Sequence, residues 1–286
     1  MRIAHLIITY TDPQQTYRMI QRMIDPDFDF YIHVDEKLPI ISHDFLTQLP
    51  NVYLIKNRIK VNWAGFSTIQ AEFNSIQEIL DTKIQYDFVT LLSGQDYPIA
   101  TVAEMKSFYE ARKGKLLLKY RDFQNEWPEG MARVSRYYMD NFSFPGRYFV
   151  EKIMNVVLPK RKPLKGIKFY GDSMFWSLSL DALNYMLEKV DRNKKIKRFY
   201  KFTWAPDEFL FQTEILSSPL ASKVINENCH YYQHAPNTAH PKWLGVADLD
   251  DILKSDRIFA RKFSFDVDSE IFNQIDALID QRVAHK

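Results

Sequence analysis

Ile3-Ala-His-Leu-Ile-Ile-Thr-Tyr10, then Asp12-Pro13, then Phe28-Asp-Phe-Tyr-Ile-His-Val34 is the stretch that decides the fold. Two short β-rich runs are apolar almost throughout, the pattern of strands buried in a sheet. Between them Asp12 can cap a helix whose first position is Pro13, where proline's missing N–H costs nothing. The unit is therefore strand, helix, strand. Outward from it, Val52 to Ile55 reads as a short third strand. Ser67 opens a helix with Ile69, Phe73, Ile76 and Leu80 on one apolar face. Tyr86 to Leu92 is the next buried strand, and Thr101 with Glu104 has capping-box spacing for a helix that turns Met105 and Phe108 inward. Alternation of this kind predicts an α/β fold, a mostly buried sheet flanked by helices. The second half is less regular. Met174 to Leu178 reads as a strand, Ser179 caps a helix through Val190, Pro206 opens a helix to about Leu216, and Asp268 starts a C-terminal helix with Ile271, Ile275 and Leu278 on one side. With no repeat, low-complexity tract or linker, residues 1–286 are expected to form one domain with irregular insertions.

Composition narrows the function. Lys+Arg 38 against Asp+Glu 36 gives a net charge of +2, too balanced for a protein that holds a nucleic-acid backbone. The single cysteine, Cys229, excludes an internal disulfide framework and multi-cysteine metal sites, and fits a reducing cytoplasm. His230 and His234 are four apart, but the second sits in a proline-bounded coil, so no zinc pair is expected. No apolar run is long enough to span a bilayer and no cleavable leader is apparent, so a soluble, cytoplasmic protein is expected. Aromatic residues reach 15%, which suits sugar or base stacking as well as a large core.

Two basic clusters stand out, Lys160, Arg161, Lys162, Lys165 and Lys168, and Lys194, Lys195, Lys197, Arg198 and Lys201. Solvated surface is the simplest account. A second account notes that Tyr148, Phe149, Ile153, Met154, Val156 and Val157 precede the first cluster in an amphipathic pattern, so the pair could dock peripherally on anionic lipid at the inner membrane face.

In α/β sheets ligands bind beyond the carboxyl ends of strands. Two predicted strands end in polar groups there, His33-Val-Asp-Glu-Lys37 and Ser93-Gly-Gln-Asp-Tyr-Pro98. Alone, each could be a turn with a capping aspartate; together on one sheet they suggest a site.

Six segments then stand in a telling order: Tyr31-Ile-His-Val-Asp-Glu-Lys37, Val61-Asn-Trp-Ala-Gly-Phe-Ser67, Leu91-Leu-Ser-Gly-Gln-Asp-Tyr-Pro98, Ser173-Met-Phe-Trp-Ser-Leu-Ser179, Ala205-Pro-Asp-Glu208 and Ile258-Phe-Ala-Arg-Lys-Phe263. In this order the chain resembles the core-2/I-branching β-1,6-N-acetylglucosaminyltransferases, grouped with peptide O-xylosyltransferases as glycosyltransferase family 14. The resemblance runs from Ile3 to about Asp268. It implies a GT-A-like fold, residues 1–120 as the nucleotide-binding half and 121–286 as the acceptor-binding and catalytic half, a UDP-sugar donor, inversion and no metal requirement. GT-A enzymes usually hold the diphosphate through a metal on Asp-x-Asp after the strand that here starts at Tyr86. Such pairs occur at Asp25/Asp27, Asp27/Asp29, Asp248/Asp250 and Asp266/Asp268, while the expected place holds only Asp96, a poor site for a metal that also carries phosphates. Animal members carry a membrane anchor, a stem and disulfides; without these features this chain resembles a bacterial, cytoplasmic relative that builds surface polysaccharide.

The resemblance also assigns roles. Glu208 matches the family's catalytic base, and a helix opened by Pro206 would favour its ionised form. Lys262 matches the family's phosphate-binding lysine, with Arg261 or Arg257 assisting and Lys242 the nearest candidate for a second family cation. Uridine is expected against the His33 to Lys37 turn, Asp35 its polar partner, and Asp96 is a donor or framework contact at the sugar. The glycan or glycolipid acceptor is expected near Trp176, Asp207, Glu208 and the Trp127 to Tyr138 segment, where Arg133 and Arg136 could share a helix face; Trp176 would be either an aromatic face for a sugar ring or a core residue. The transferred sugar is N-acetylglucosamine on this reading; xylose, or a binding module or hydrolase of the same fold, are the alternatives.

Overall fold

Asp12 Oδ1 accepts the Gln14 N–H at 2.8 Å, and the helix that follows opens at Pro13. In the computed structural model, which describes residues 1–162, 166–234 and 241–284, β1 (Ile3–Thr9) leads through this cap into α1 (Pro13–Gln21) and β2 (Phe28–Val34). β3 (Val52–Leu54), α2 (Ser67–Asp81) and β4 (Phe88–Ser93) complete four parallel strands in the order β3-β2-β1-β4. β5 (Asp96–Pro98) turns back directly from β4, and α3 (Val102–Glu110) starts at a complete capping box between Thr101 and Glu104.

The sheet then continues in a way the strand patterns did not indicate. β6 (Leu116–Asp122), α4 (Gly130–Ser135), α5 (Arg147–Val157) and β7 (Tyr170–Leu178) follow, and β7 inserts antiparallel between β4 and β6. α6 (Leu180–Met186) widens into a π turn at Leu187–Asp191, so the helix expected through Val190 changes winding in its last turn. After α7 (Lys194–Tyr200) the helix expected from Pro206 to Leu216 is split: a 3₁₀ turn at Pro206–Glu208 is broken from α8 (Leu210–Leu216) by Phe209, whose φ is −149°. β8 (Val224–Ile225) closes the sheet edge in the order β3-β2-β1-β4-β7-β6-β8. β9 (His230–Tyr231), α9 (Leu249–Leu253), β10 (Phe259–Arg261) and α10 (Glu270–Ala284) follow; β10 lies between β5 and β9 in a small second sheet.

Helices cover both faces of the large sheet, as two buried apolar clusters demand. One gathers Ile69, Phe73 and Ile76 of α2 with Ala182, Leu183, Leu210 and Phe211. The other gathers Met19 and Ile20 of α1 with Met105, Ile271 and Ile275. The small sheet is bolted beyond the β4 end by buried Gln15, which donates to Gly94 O at 2.8 Å and Phe263 O at 3.1 Å. Gly94 must be glycine, because a Cβ there would lie 2.2 Å from Thr9 Oγ1 and 2.4 Å from Thr11 Oγ1. Among the described residues no helix is long and apolar enough to cross a membrane.

Candidate active site

Three of the six motif segments meet around Glu208. Ala64 and Ala205 both adopt left-handed backbone, with φ of 57° and 46°, and Ala205 N donates to Ala64 O at 2.8 Å. Non-glycine residues held there cost about 1–3 kcal/mol each, a strain that collects at working sites. The paired bends bring Trp63 against Trp204, ring centroids 5.8 Å apart, and start the tight turn that carries Asp207 and Glu208. Gly171 of β7 backs this turn; a Cβ on it would lie 2.4 Å from Phe209 Cβ and 2.6 Å from Glu208 O.

Arg133 Nη1 donates to Glu208 Oε2 at 2.5 Å. Its guanidinium lies between two indoles, 4.4 Å from the Trp127 centroid and 4.5 Å from that of Trp204. A flat cation clamped in this way fixes the carboxylate's direction while leaving its other oxygen available. Glu208 keeps 34% side-chain exposure and Arg133 only 13%, so the carboxylate is the accessible member. The charge partner is thus Arg133 rather than the helix N-terminus expected from Pro206, since α8 starts only at Leu210. Nor do Arg133 and Arg136 share a helix face: α4 ends at Ser135, and Arg136 is extended, with ψ of 164°.

Behind Glu208 lie carboxyls in drier surroundings. Part of Asp207 reaches solvent, but its Oδ1 is buried without a partner, and burial and then the Glu208 charge raise its pKa. Glu72 of α2 is buried; burial, and after it the Asp207 charge, push its carboxyl well above the usual range. The Trp176 indole donates to Glu72 Oε2 at 3.2 Å. Trp176 itself is 1% exposed and stacked on Phe211 at 5.1 Å, so of the two readings it is the core residue and not an open face for a sugar ring. Glu72 was not singled out beforehand, although an acid between Ile69 and Ile76 on an apolar helical stripe is a legible signal.

The second centre lies where β5 meets β10. Asp96, fully buried, accepts Ser93 N at 2.7 Å, Ser93 Oγ at 2.8 Å, Arg261 Nε at 3.1 Å and His230 Nε2 at 3.2 Å. Burial alone would raise its pKa, but His230 and Arg261 outweigh burial and hold it below the ordinary range. Burial in turn lowers the His230 pKa, against the pull of the Asp96 charge. With both oxygens engaged within the protein, Asp96 anchors Arg261 as a framework group. Arg261 also lies over the Phe175 ring at 4.5 Å. Lys262 is half-buried over Trp243 at 4.1 Å, and burial, then the Arg261 charge, lower its pKa. Lys242 is paired with Asp248 at 2.5 Å, and Arg257 with Glu227 at 3.5 Å and Asp256 at 3.1 Å, so neither is a free cation.

β7 joins the two centres. Its pairing with β6 steps from Asp172↔Tyr120 to Trp176↔Leu118, a bulge inside the Ser173-Met-Phe-Trp motif. Gln212 Nε2 holds it by donating to Ser173 O at 2.5 Å. Bulges re-aim side chains; here one strand supports the Glu208 turn through Gly171 and the Arg261 cluster through Phe175.

At the β2 end His33 is fully buried; its Nε2 accepts Ile59 N at 3.3 Å, and burial lowers its pKa to about 4. That side chain therefore serves the loop packing, contrary to the donor contact expected. Asp35 accepts Lys37 N at 2.9 Å and lies 3.3 Å from Lys37 Nζ, closing the turn expected for the nucleoside. Of the first basic cluster, Arg161 is buried and donates to the Arg136 and Phe202 carbonyls at 3.0 and 2.6 Å, and Lys165 lies outside the described residues.

Residues 3–253 match the model of the Core-2/I-branching enzyme family. The chain belongs to that family. Among curated relatives, xylosyltransferase 1 of Rattus norvegicus is 25% identical over 98% of this chain and 35% of its own length. Xylosyltransferase oxt of Drosophila pseudoobscura pseudoobscura is 25% identical over 80% of this chain and 26% of its own. The chain thus spans about a third or less of these relatives. The crystal structure of mouse xyloside xylosyltransferase 1 in apo form aligns with 90% of this chain and 97% of its own, with TM-score 0.37 and 11% identity. The mixed sheet flanked by helices is the α/β architecture that membership implied, and the six motif segments that carried the resemblance lie inside or just beyond the matched span.

Proposed function

We propose that this family member moves a sugar from a UDP-sugar to a hydroxyl of a glycan acceptor, with inversion and without a metal. The carrying observation is the half-exposed Glu208 carboxylate clamped by Arg133 between two tryptophans. In this reading Glu208 takes the proton of the acceptor hydroxyl. A carboxylate is a weak base for an alcohol, so the proton moves late, as the oxygen bonds to the anomeric carbon. Burial and the neighbouring carboxylates raise the pKa of Asp207 and Glu72 behind it, which disfavours further negative charge near that carbon. Arg261, fixed by Asp96, and Lys262, half-dry over an indole, offer fixed positive charge to the leaving diphosphate, worth several kcal/mol in a site that excludes water. The nucleoside would lie by the Asp35 turn, with residues 1–120 as the nucleotide-binding half and 121–286, which carry Glu208, Arg261 and Lys262, as the acceptor-binding and catalytic half.

The donor sugar has two readings. N-acetylglucosamine follows from the branching members of the family; xylose is favoured by the names of the relatives quoted above. A panel of UDP-sugars against a glycan array, read by product mass in EDTA, decides between them. We expect full turnover in EDTA and loss of most of it in Lys262→Ala, whereas strict dependence on manganese would overturn the metal-free reading.

A further inference from the structure

α5 is built inside out. At 3.6 residues per turn Glu151 and Asn155 share one face, and that polar face is the one attached to the protein: Glu151 Oε2 accepts Met139 N at 2.9 Å, and Asn155 exchanges bonds of 2.9 and 2.7 Å with Tyr137 N and O. The opposite face carries Phe149, Ile153, Val156 and Val157, exposed by 68%, 45%, 79% and 72%. No residue of the helix is buried. A helix of a water-soluble domain turns its apolar stripe to the core; contiguous apolar surface left outward marks an interaction site.

The charges beside it select the partner. Lys152, in the helix, and Lys160 and Lys162, just after it, are exposed, and none of them forms an ion pair among the described residues. Between α5 and the Ser135–Tyr138 segment a cleft of about 280 Å³ opens, lined in part by Arg136, Tyr137, Lys160 and the Glu151 carboxylate that binds Met139 N. Aromatic and aliphatic side chains flanked by unpaired lysines suit the boundary of an anionic bilayer, where acyl chains take the one and phosphates the other. A second copy fits worse, because pairing α5 on α5 would bring these lysines against their own equivalents.

We infer that α5 seats the protein on an anionic lipid surface, Phe149, Ile153, Val156 and Val157 entering the acyl boundary and Lys152, Lys160 and Lys162 meeting the headgroups. The seat lies next to the site: α5 holds the segment that follows α4, and α4 carries the Arg133 that clamps Glu208. A lipid-borne acceptor would then arrive on the membrane side of the carboxylate. The inference does not depend on the donor or on catalysis, and its test reads binding alone.

The test is co-sedimentation with vesicles of equimolar phosphatidylglycerol and phosphatidylcholine, and with phosphatidylcholine alone. The wild-type chain should pellet with the anionic vesicles, be released as salt rises, and remain in solution with the neutral ones. Phe149→Ser/Ile153→Ser/Val157→Ser should bind at least about tenfold more weakly with its melting temperature retained. Lys152→Glu/Lys162→Glu, which spares the apolar face, should also weaken binding. Failure of the wild type to bind anionic vesicles, equal binding by the triple variant, or a wild-type dimer in light scattering that the triple variant abolishes would overturn it.

Discussion

Glu208 and Glu72 show how differently two carboxyls in one site can be read. Glu208 was legible because it closes the Pro-Asp-Glu motif; Glu72 was hidden in an apolar helix and becomes meaningful only when Trp176 is seen to donate to it at 3.2 Å. Arg133 was legible as a site residue but not in its partner, since the contact spans 75 positions in sequence. The clamp depends on a planar cation lying between indoles. Arg133→Lys should therefore fail to substitute, losing about 10²-fold in kcat, the scale for a misplaced group, in steady-state assays of transfer. Retention of wild-type kcat would show that the clamp has no part in positioning. His5 offers a test unconnected with catalysis. It is enclosed by Phe28, Phe30 and Phe259, neither ring nitrogen has a partner, and burial lowers its pKa to about 3. The unfolded chain binds this proton first, so stability falls as pH drops from the ordinary histidine range near 6.5 towards 3. His5→Phe should be more stable than wild type at pH 5 by about 2 kcal/mol, with the gap closing at neutral pH, as read from urea unfolding.

At the scale of elements, the local signals located their elements well: Asp12 before Pro13, the Thr101–Glu104 box, and the α2 stripe each depend on neighbours a turn away. β6 and the full length of β7 were missed because an antiparallel insertion into a parallel sheet is fixed by long-range pairing, and the β7 bulge scrambles its alternation. The break at Phe209 escaped for a related reason. It is imposed by the close approach of the Glu208 turn to Gly171, which no local pattern encodes. Gly171→Ala would force that turn away from β7, at an overpacking cost of about 1–3 kcal/mol. Turnover should fall further than stability, so that a folded but nearly inactive variant is expected from paired thermal-melt and activity measurements. Full activity would mean that the turn tolerates displacement.

Across the whole molecule, β7 gives the account its coherence: the base candidate leans on one end of the strand and the cation cluster on the bulge further along it. The first half of the chain was readable as βα units, while the meeting of both centres across the second half came only with the folded arrangement. If Asp96 acts through Arg261, Asp96→Asn should raise the KM for the UDP-sugar more than it lowers kcat, because the affected group meets phosphate and not the acceptor. An unchanged KM would separate the buried pair from donor binding.

The most direct measurement is the transfer rate of Glu208→Gln with the best donor and acceptor pair from the array, the variant's fold verified by its melting temperature. Removal of a general base should lower kcat by about 10² to 10⁴ while UDP still binds. A rate within about tenfold of wild type would contradict the assignment of Glu208 as the base.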